Sequence, residues 1–495
     1  MSFISLEFLI LVILTLIAYF VIPLKYRWIV LLISSVIFYA KGGWFILVIT
    51  LSTTAIAYFG AIWIENTDAK DKKRRKTFLC IGIIIVLGLL AFVKLYSFRK
   101  WNIPYFVVPV GISYYSFSIV SYLTDVYWKK DKAERNFLKL AVFVLFFPKI
   151  LQGPISRHRF LGNQLIEGHK FDYKSFTFGI QLIIWGLFKK LVIADRAAIF
   201  VGTVYGDLGA YKESGAILVV TMILSAVNLY CDFSGYADIA IGISQMFGIE
   251  LEQNFNRPFF AKSGAEFWQR WHMTLSGWFK DYLFLPISRS KIVKKFSKKM
   301  GERFGPRARK NTMIVISSSV VWLATGVWHG TGLNYIVWGI YWGSIIILSE
   351  VFSPEIQKFN RLLHINTEAY TWKVFQMVRT SLIFCVGKMI SAQSDLESVG
   401  LIIRGIFKSP RIWELFNGDL YKMGLDKTGF QVLLLCILLL WFVSCQQEKG
   451  HIRERIANWN AVVRWVFYAV SLLVVLYFGV YGAGYDTSSF AYQFF

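Results

Sequence analysis

The chain has 495 residues, 56% of them hydrophobic and 17% charged, and its 54 Lys and Arg outweigh 30 Asp and Glu for a formal net charge of +24. So apolar a composition, spread along nearly the whole length, excludes a soluble enzyme, a disordered tail protein and a disulfide scaffold. A bilayer crossing uses roughly 20 mostly apolar residues, which makes on the order of a dozen crossings affordable and sends the basic residues into the loops between them.

In chain order, apolar stretches fall at about 4–24, 28–40, 44–64, 77–96, 102–127, 137–151, 175–193, 214–231, 313–328, 333–351, 372–390, 428–445 and 460–481. The short ones are expected to be tilted, broken or buried inside the bundle. The first stretch lacks a basic n-region and a small-residue cleavage site, so it reads as a retained helix rather than a signal peptide. Between 232 and 290 the pattern changes. Gly235–Gly248 is rich in small residues and holds Asp238, while Ala265–Pro286 mixes Trp, Phe, Arg, His, Lys and Asp. Such mixtures are tolerated at membrane depth only under protein cover or beside a wet cavity, so re-entrant or tilted helices are expected there. With no internal repeat and no low-complexity linker, the expectation is one all-α polytopic membrane domain over 1–495. Its core would lie at about 100–345, with N-terminal spans in 1–100 and C-terminal spans in 372–481. The five cysteines, Cys80, Cys231, Cys385, Cys436 and Cys445, lack CxxC or ligand spacing and read as small buried hydrophobes, with no metal site.

Orientation follows from the basic loops. Lys70, Lys72, Lys73, Arg74, Arg75 and Lys76 follow the third span; Lys129, Lys130, Lys132 and Arg135 follow the fifth; a denser run from Arg289 to Lys310 precedes the span at 313. All are expected on the cytoplasmic side, which puts the N-terminus outside and the end of the span at Trp328-His329 away from the cytoplasm. Arg99 and Lys100 fall on the outer side in this count. The basic run reads as topology and attraction to lipid headgroups; the groove-reading, aromatic-interleaved pattern of a nucleic-acid module is missing, so no nucleic-acid partner is expected.

Of six histidines, His158, His169, His364 and His451 sit in polar stretches expected to be exposed, whereas His272 and His329 sit among aromatic and apolar residues. An ionisable side chain at membrane depth is a functional candidate. His329 ends an apolar run in Gly326-Val327-Trp328-His329-Gly330-Thr331-Gly332, where glycines permit a break and close approach of a substrate. It reads either as a base that takes a proton from a hydroxyl attacking an acyl carbon, or as a core histidine joining two helices. In Glu266–Tyr282, a continuous helix would place His272, Ser276 and Phe279 on one face with Trp268 a turn earlier, and Glu266 beside Arg270 as an i,i+4 ion pair. That face suits a narrow channel, or equally an interfacial aromatic belt with Arg270 and Lys280 snorkelling. Asp232-Phe233-Ser234-Gly235-Tyr236-Ala237-Asp238 places two carboxylates six apart, as acids or as helix caps. Gln152–Arg157 is a turn in which Arg157 anchors the backbone or pairs with one of these acids. No nucleophile elbow, Walker loop or dinucleotide fingerprint occurs.

These strings resemble the membrane-bound O-acyltransferase family. The resemblance rests on Gln152-Gly153-Pro154-Ile155-Ser156-Arg157, on Asp232 to Gly242, on Glu252-Gln253-Asn254-Phe255-Asn256-Arg257-Pro258, on Glu266 to Ser276 and on Trp328-His329-Gly330. It is densest over about 100–345 and strongest to the bacterial alginate O-acetyltransferase-like branch, with teichoic acid D-alanyl transferases as near relatives. One departure is Gly387-Lys388-Met389-Ile390-Ser391, where that branch usually carries a Trp, Phe and Arg-containing stretch. The resemblance implies a ring of tilted helices around a tunnel, with the family's essential histidine at His329 and its second histidine at His272.

The expectation is an O-acetyltransferase that moves acetyl from cytoplasmic acetyl-CoA, a substrate rather than a bound cofactor, toward an extracytoplasmic polysaccharide through a partner acetyltransferase. His329 would act as base or carry a transient acyl group, and His272 would orient the thioester. Trp268, Trp271, Trp278 and Trp328 would line the tunnel with Ser276, Asp281 and Asn334. Arg157, Asp232, Ser234, Tyr236, Asp238, Asn256, Arg257 and Arg270 are expected to hold the framework. Lys291, Lys294, Lys295, Lys298 and Lys299 would steer the donor's phosphates. Two alternatives are D-alanyl transfer from a carrier protein and transport of a polysaccharide precursor.

Overall fold

The computed structural model describes residues 3–99, 111–150 and 152–481, and among them no strand occurs, only an isolated bridge between Phe255 and Trp271. The helices in chain order are α1 Leu6–Val21, α2 Arg27–Gly42, α3 Trp44–Asn66, α4 Lys72–Arg99, α5 Ile112–Tyr127, α6 Phe137–Leu145, α7 His158–Glu167, α8 Tyr173–Leu187, α9 Asp195–Gly206, α10 Leu208–Tyr211, α11 Gly215–Met246 and α12 Gly264–Arg270. They continue as α13 Met273–Phe279, α14 Leu285–Ser288, α15 Lys291–Phe304, α16 Pro306–His329, α17 Leu333–Val351, α18 Ser353–Leu362, α19 Tyr370–Ala392, α20 Leu396–Lys408, α21 Lys427–Glu448, α22 Ile452–Ala457 and α23 Ala461–Phe478.

Among the described residues, eight helices are long and apolar enough to cross a membrane, or nine if the bent pair α17 and α18 counts as one span. That is fewer than the thirteen apolar stretches in the sequence. The difference lies in length: α1, α2 and α5 have 16 residues each and α6 has 9, short of the roughly 20 that a crossing uses. Residues 102–110 of the fifth stretch lie outside the described residues. Helix α5 is buried at every position from Ile112 to Val126, the pattern of a helix packed on all sides. The segment 235–246, expected to lie in a re-entrant or tilted helix, completes the 32-residue α11. Of the cysteines, Cys231 and Cys385 are buried, Cys436 and Cys445 are half-buried and Cys80 is exposed on α4.

The described residues form two compact units, one from 1–192, 231–253 and 445–495, the other from 193–230 and 254–444. In the first, α8 and α11 touch backbone to backbone. A Cβ on Gly186 would lie 2.5 Å from the Gly235 carbonyl oxygen, and one on Gly179 would lie 2.5 Å from that of Gly242. The two pairs are seven residues apart on each helix and run in opposite senses, so the seam is antiparallel. Small residues allow this approach where lipid supplies no hydrophobic drive between helices. In the second unit, α16 and α17 form a hairpin with the same device. A Cβ on Gly326 would lie 2.5 Å from the Tyr335 carbonyl oxygen, and one on Gly339 2.6 Å from that of Trp322.

The seam makes a direct demand. Gly186→Ala should destabilise the protein by about 1–3 kcal/mol, since its methyl meets backbone that cannot rotate away. Gly88→Ala on α4, where nothing lies within 4 Å of the added carbon, should be neutral or stabilising by up to about 1 kcal/mol. Thermal unfolding in one detergent compares them; equal midpoints would refute the seam.

Candidate active site

His329 is the last residue of α16, one turn beyond Gly326, so the α16–α17 seam fixes where its ring lies. It is buried, and its ring meets Trp328 at 4.7 Å and Trp338 of α17 at 4.9 Å, both edge to face. Gly330, expected to supply the helix break through its freedom, is extended at φ 178°, a conformation open to any residue. Glycine is needed there for space: a Cβ would lie 2.2 Å from the Tyr335 ring.

His272 is built differently. The segment 266–282 is not one continuous helix but is broken at Trp271 and His272, between α12 and α13. His272 holds φ 44° and ψ 52°, left-handed backbone that a side chain with a Cβ adopts only when its surroundings impose it. The segment 254–256 imposes it from both sides. The Asn256 amide donates to the Arg270 carbonyl at 2.9 Å, and the Met273 amide donates to the Asn254 carbonyl at 2.9 Å. The Asn254 side-chain oxygen then accepts from the Thr274 hydroxyl at 2.6 Å and its amide at 3.3 Å, satisfying the start of α13. His272 is 1% exposed, and burial pushes its imidazole down to about 3, so it is neutral at ordinary pH. A neutral ring donates from one nitrogen and accepts at the other.

The two histidines share a neighbour. The Trp328 ring that touches His329 lies 6.1 Å from His272. Behind them, Trp268 packs edge to face on Trp322, Trp338 and Trp342 at 5.0–5.7 Å. Sequence reading missed Trp322, Trp338 and Trp342 and gave Asn254 no role beyond its motif; the four-residue spacing of Trp338 and Trp342, each followed by glycine, was the available signal.

The other residues expected along the tunnel have the following partners. Trp271 packs on Phe255, Phe267 and Phe384, and Trp278 on Phe279 and Tyr282. Asn334 donates its side-chain amide to the Gln393 carbonyl at 2.7 Å, tying α17 to the end of α19. Ser276 and Asp281 are half-buried, on α13 and the π-helical turn Lys280–Phe284. Glu266 and Arg270 form the expected ion pair at 2.9 Å, and Arg257, itself left-handed at φ 49°, donates to Asn256 at 3.0 Å.

In the first unit, Asp232, Ser234 and Asp238 lie inside α11, so they cap no helix. They meet two lysines hidden in the apolar run 175–193. Lys190 Nζ is 2.7 Å from Asp232, and Lys189 Nζ is 2.9 Å from Ser234 Oγ and 2.8 Å from Asp238. Lys189 and Lys190 are 3% and 1% exposed and sit in the π-helical turn Phe188–Ala194, next to the Gly186–Gly235 contact. Tyr236 stacks on Phe3 at 4.3 Å. Arg157 pairs with Glu252 at 3.5 Å. His158, expected to be exposed, is buried against Tyr122 and Phe143 and bonded to Asp131 at 2.8 Å.

Two substitutions probe these placements through stability alone. His272→Gly should be more stable than His272→Ala by about 1 kcal/mol, because glycine relieves left-handed backbone and alanine does not; equal stabilities would refute the strained conformation. Lys190→Met should cost about 3–5 kcal/mol by stranding the buried Asp232 carboxylate, and adding Asp232→Leu should recover most of it. Denaturation of the single and double variants measures the recovery.

The profile of the membrane-bound O-acyltransferase family matches residues 129–300. The chain is 29% identical to a probable alginate O-acetylase of Pseudomonas syringae over 83% of this chain and 75% of that protein. It is 28% identical to a peptidoglycan O-acetyltransferase of Helicobacter pylori over 86% and 84%. With a teichoic acid D-alanyltransferase of Bacillus subtilis it shares 30% identity over 59% of this chain and 73% of that protein. The chain is thus a multi-pass membrane acyltransferase and belongs to the membrane-bound O-acyltransferase family.

Proposed function

We propose that the protein transfers acetyl from cytoplasmic acetyl-CoA toward hydroxyls of a polysaccharide outside the membrane, with His329 as the base. The observation that carries this reading is the pair of buried imidazoles on one tryptophan, His329 at the end of a span and His272 in an imposed left-handed turn. The polymers named for the relatives, alginate, peptidoglycan and teichoic acid, support a polymeric acceptor.

In the proposed step the acceptor hydroxyl oxygen attacks the thioester carbon while its proton passes to His329. The tetrahedral intermediate then collapses, the carbon–sulfur bond breaks, and the departing thiolate receives that proton, leaving an O-acetyl ester and free coenzyme A. Neutral His272 is suited to donate a hydrogen bond to the thioester oxygen as charge develops there. The tryptophans around His329 exclude the water that would hydrolyse the thioester. A partner acetyltransferase outside the membrane would carry the acetyl group to the polymer. Lys291, Lys294, Lys295, Lys298 and Lys299 all lie on α15, one glycine before the helix that ends in His329, and would draw in the donor's phosphates.

The 30% identity to a D-alanyltransferase supports a second reading, D-alanyl transfer from a carrier protein. One assay separates the two. Purified protein should transfer from acetyl-CoA and not from a D-alanyl thioester, and His329→Ala should lower the rate at least about 100-fold with unfolding unchanged. Activity retained in His329→Ala would remove the catalytic assignment; preference for the D-alanyl donor would install the second reading.

A further inference from the structure

The hairpin of α16 and α17 carries a short amphipathic helix beyond each of its free ends. Helix α15 precedes α16 across the single residue Gly305, and α18 follows α17 across Phe352, bent from it by 64°. Arg307 at the start of α16 holds α18 against the end of α17, donating to both Glu355 oxygens at 2.5 Å and to the Val351 carbonyl at 2.8 Å. That pair neutralises the one acid of α18 and leaves Lys358 and Arg361 as its charges.

Helix α18 buries none of its residues, yet Ile356, Phe359 and Leu362 recur along it at 47%, 58% and 72% exposure. Helix α15 buries only Val293 and Ser297, while Ile292 and Phe296, one turn apart, stand 82% and 50% exposed beside five lysines. Because α16 is long and apolar enough to cross a membrane and α17 is packed antiparallel against it, the start of α16 beside the end of α17 is where the hairpin leaves the hydrocarbon. An apolar stripe left open by the protein, flanked by lysine and arginine and starting at that level, is the pattern of a helix lying in the headgroup layer. Donor steering alone would account for lysines but not for the exposed Ile292, Phe296 and Phe359.

We propose that α15 and α18 form a docking surface for anionic phospholipid, with Ile292, Phe296 and Phe359 in the acyl boundary and the α15 lysines on the headgroups. The charge complementarity commits the surface to an anionic rather than a zwitterionic lipid, and basic residues near a membrane end are expected on the cytoplasmic leaflet.

The test uses the full chain taken from equal amounts of phosphatidylcholine and phosphatidylglycerol, with retained lipids counted by native mass spectrometry. The wild type should keep phosphatidylglycerol over phosphatidylcholine at least about threefold, and the preference should fall toward parity in Lys294→Gln/Lys295→Gln/Lys298→Gln/Lys299→Gln. If that variant does not fold, salt decides on the wild type: about 0.5 M KCl should erase most of the preference. Parity in the wild type, or a preference that survives high salt, would overturn the proposal. So would an intact preference in the Gln variant together with a raised KM for acetyl-CoA, which would give the lysines to the donor alone.

Discussion

Glycine-to-backbone contact between antiparallel helices is the constraint on which the rest depends. Lipid competes with apolar side chains for the outer faces of spans, so helix pairs are held where backbones come close enough for dispersion and polar contacts to add up. Gly179 and Gly186 against Gly242 and Gly235 make such a contact in the first unit, and Gly326 against Gly339 makes one in the second. In both, chemistry-bearing residues lie within one turn of the contact. Lys189 and Lys190 follow Gly186 and meet acids on either side of Gly235, while His329 follows Gly326 and reaches Trp338 beside Gly339. Close approach therefore sets where the polar side chains point.

In the first unit, Lys190 with Asp232 and Lys189 with Asp238 tie the turn after α8 to α11. Burying Lys190 with Asp232 costs desolvation that their attraction roughly offsets, so the pair adds little net stability. What it adds is selectivity of register: sliding α8 along α11 by one residue would strand a lysine and a carboxylate in an apolar interior. The π-helical turn at 188–194 widens the helix where both lysines must turn toward α11.

Fold class and the long spans were legible in the sequence because hydrophobic length is a strong, local signal, whereas α1, α2, α5 and α6 read as apolar stretches like the others and form shorter helices; the two buried histidines were legible because their neighbours are aromatic. What stayed hidden was set by partners distant in the chain. Residues 264–288 have the composition of one helix, and the break at His272 comes from Asn254 and Asn256, which local propensity does not register. Lys189 and Lys190 were absorbed into an apolar run, although two adjacent lysines inside a span were themselves a signal that acids must face them. His158 reads as a loop residue until Asp131, Tyr122 and Phe143 close around it. Trp338 and Trp342 gained meaning only once α17 was laid against α16.

Five described residues other than glycine have positive φ, namely Lys129, Arg257, His272, His364 and Arg411, and His272 is the one among them that is buried. Selection for stability alone would drive such a position toward glycine, which fits the turn and carries no imidazole to desolvate. The fold therefore carries two separate costs at His272, a left-handed backbone and a desolvated ring, that a glycine would remove together.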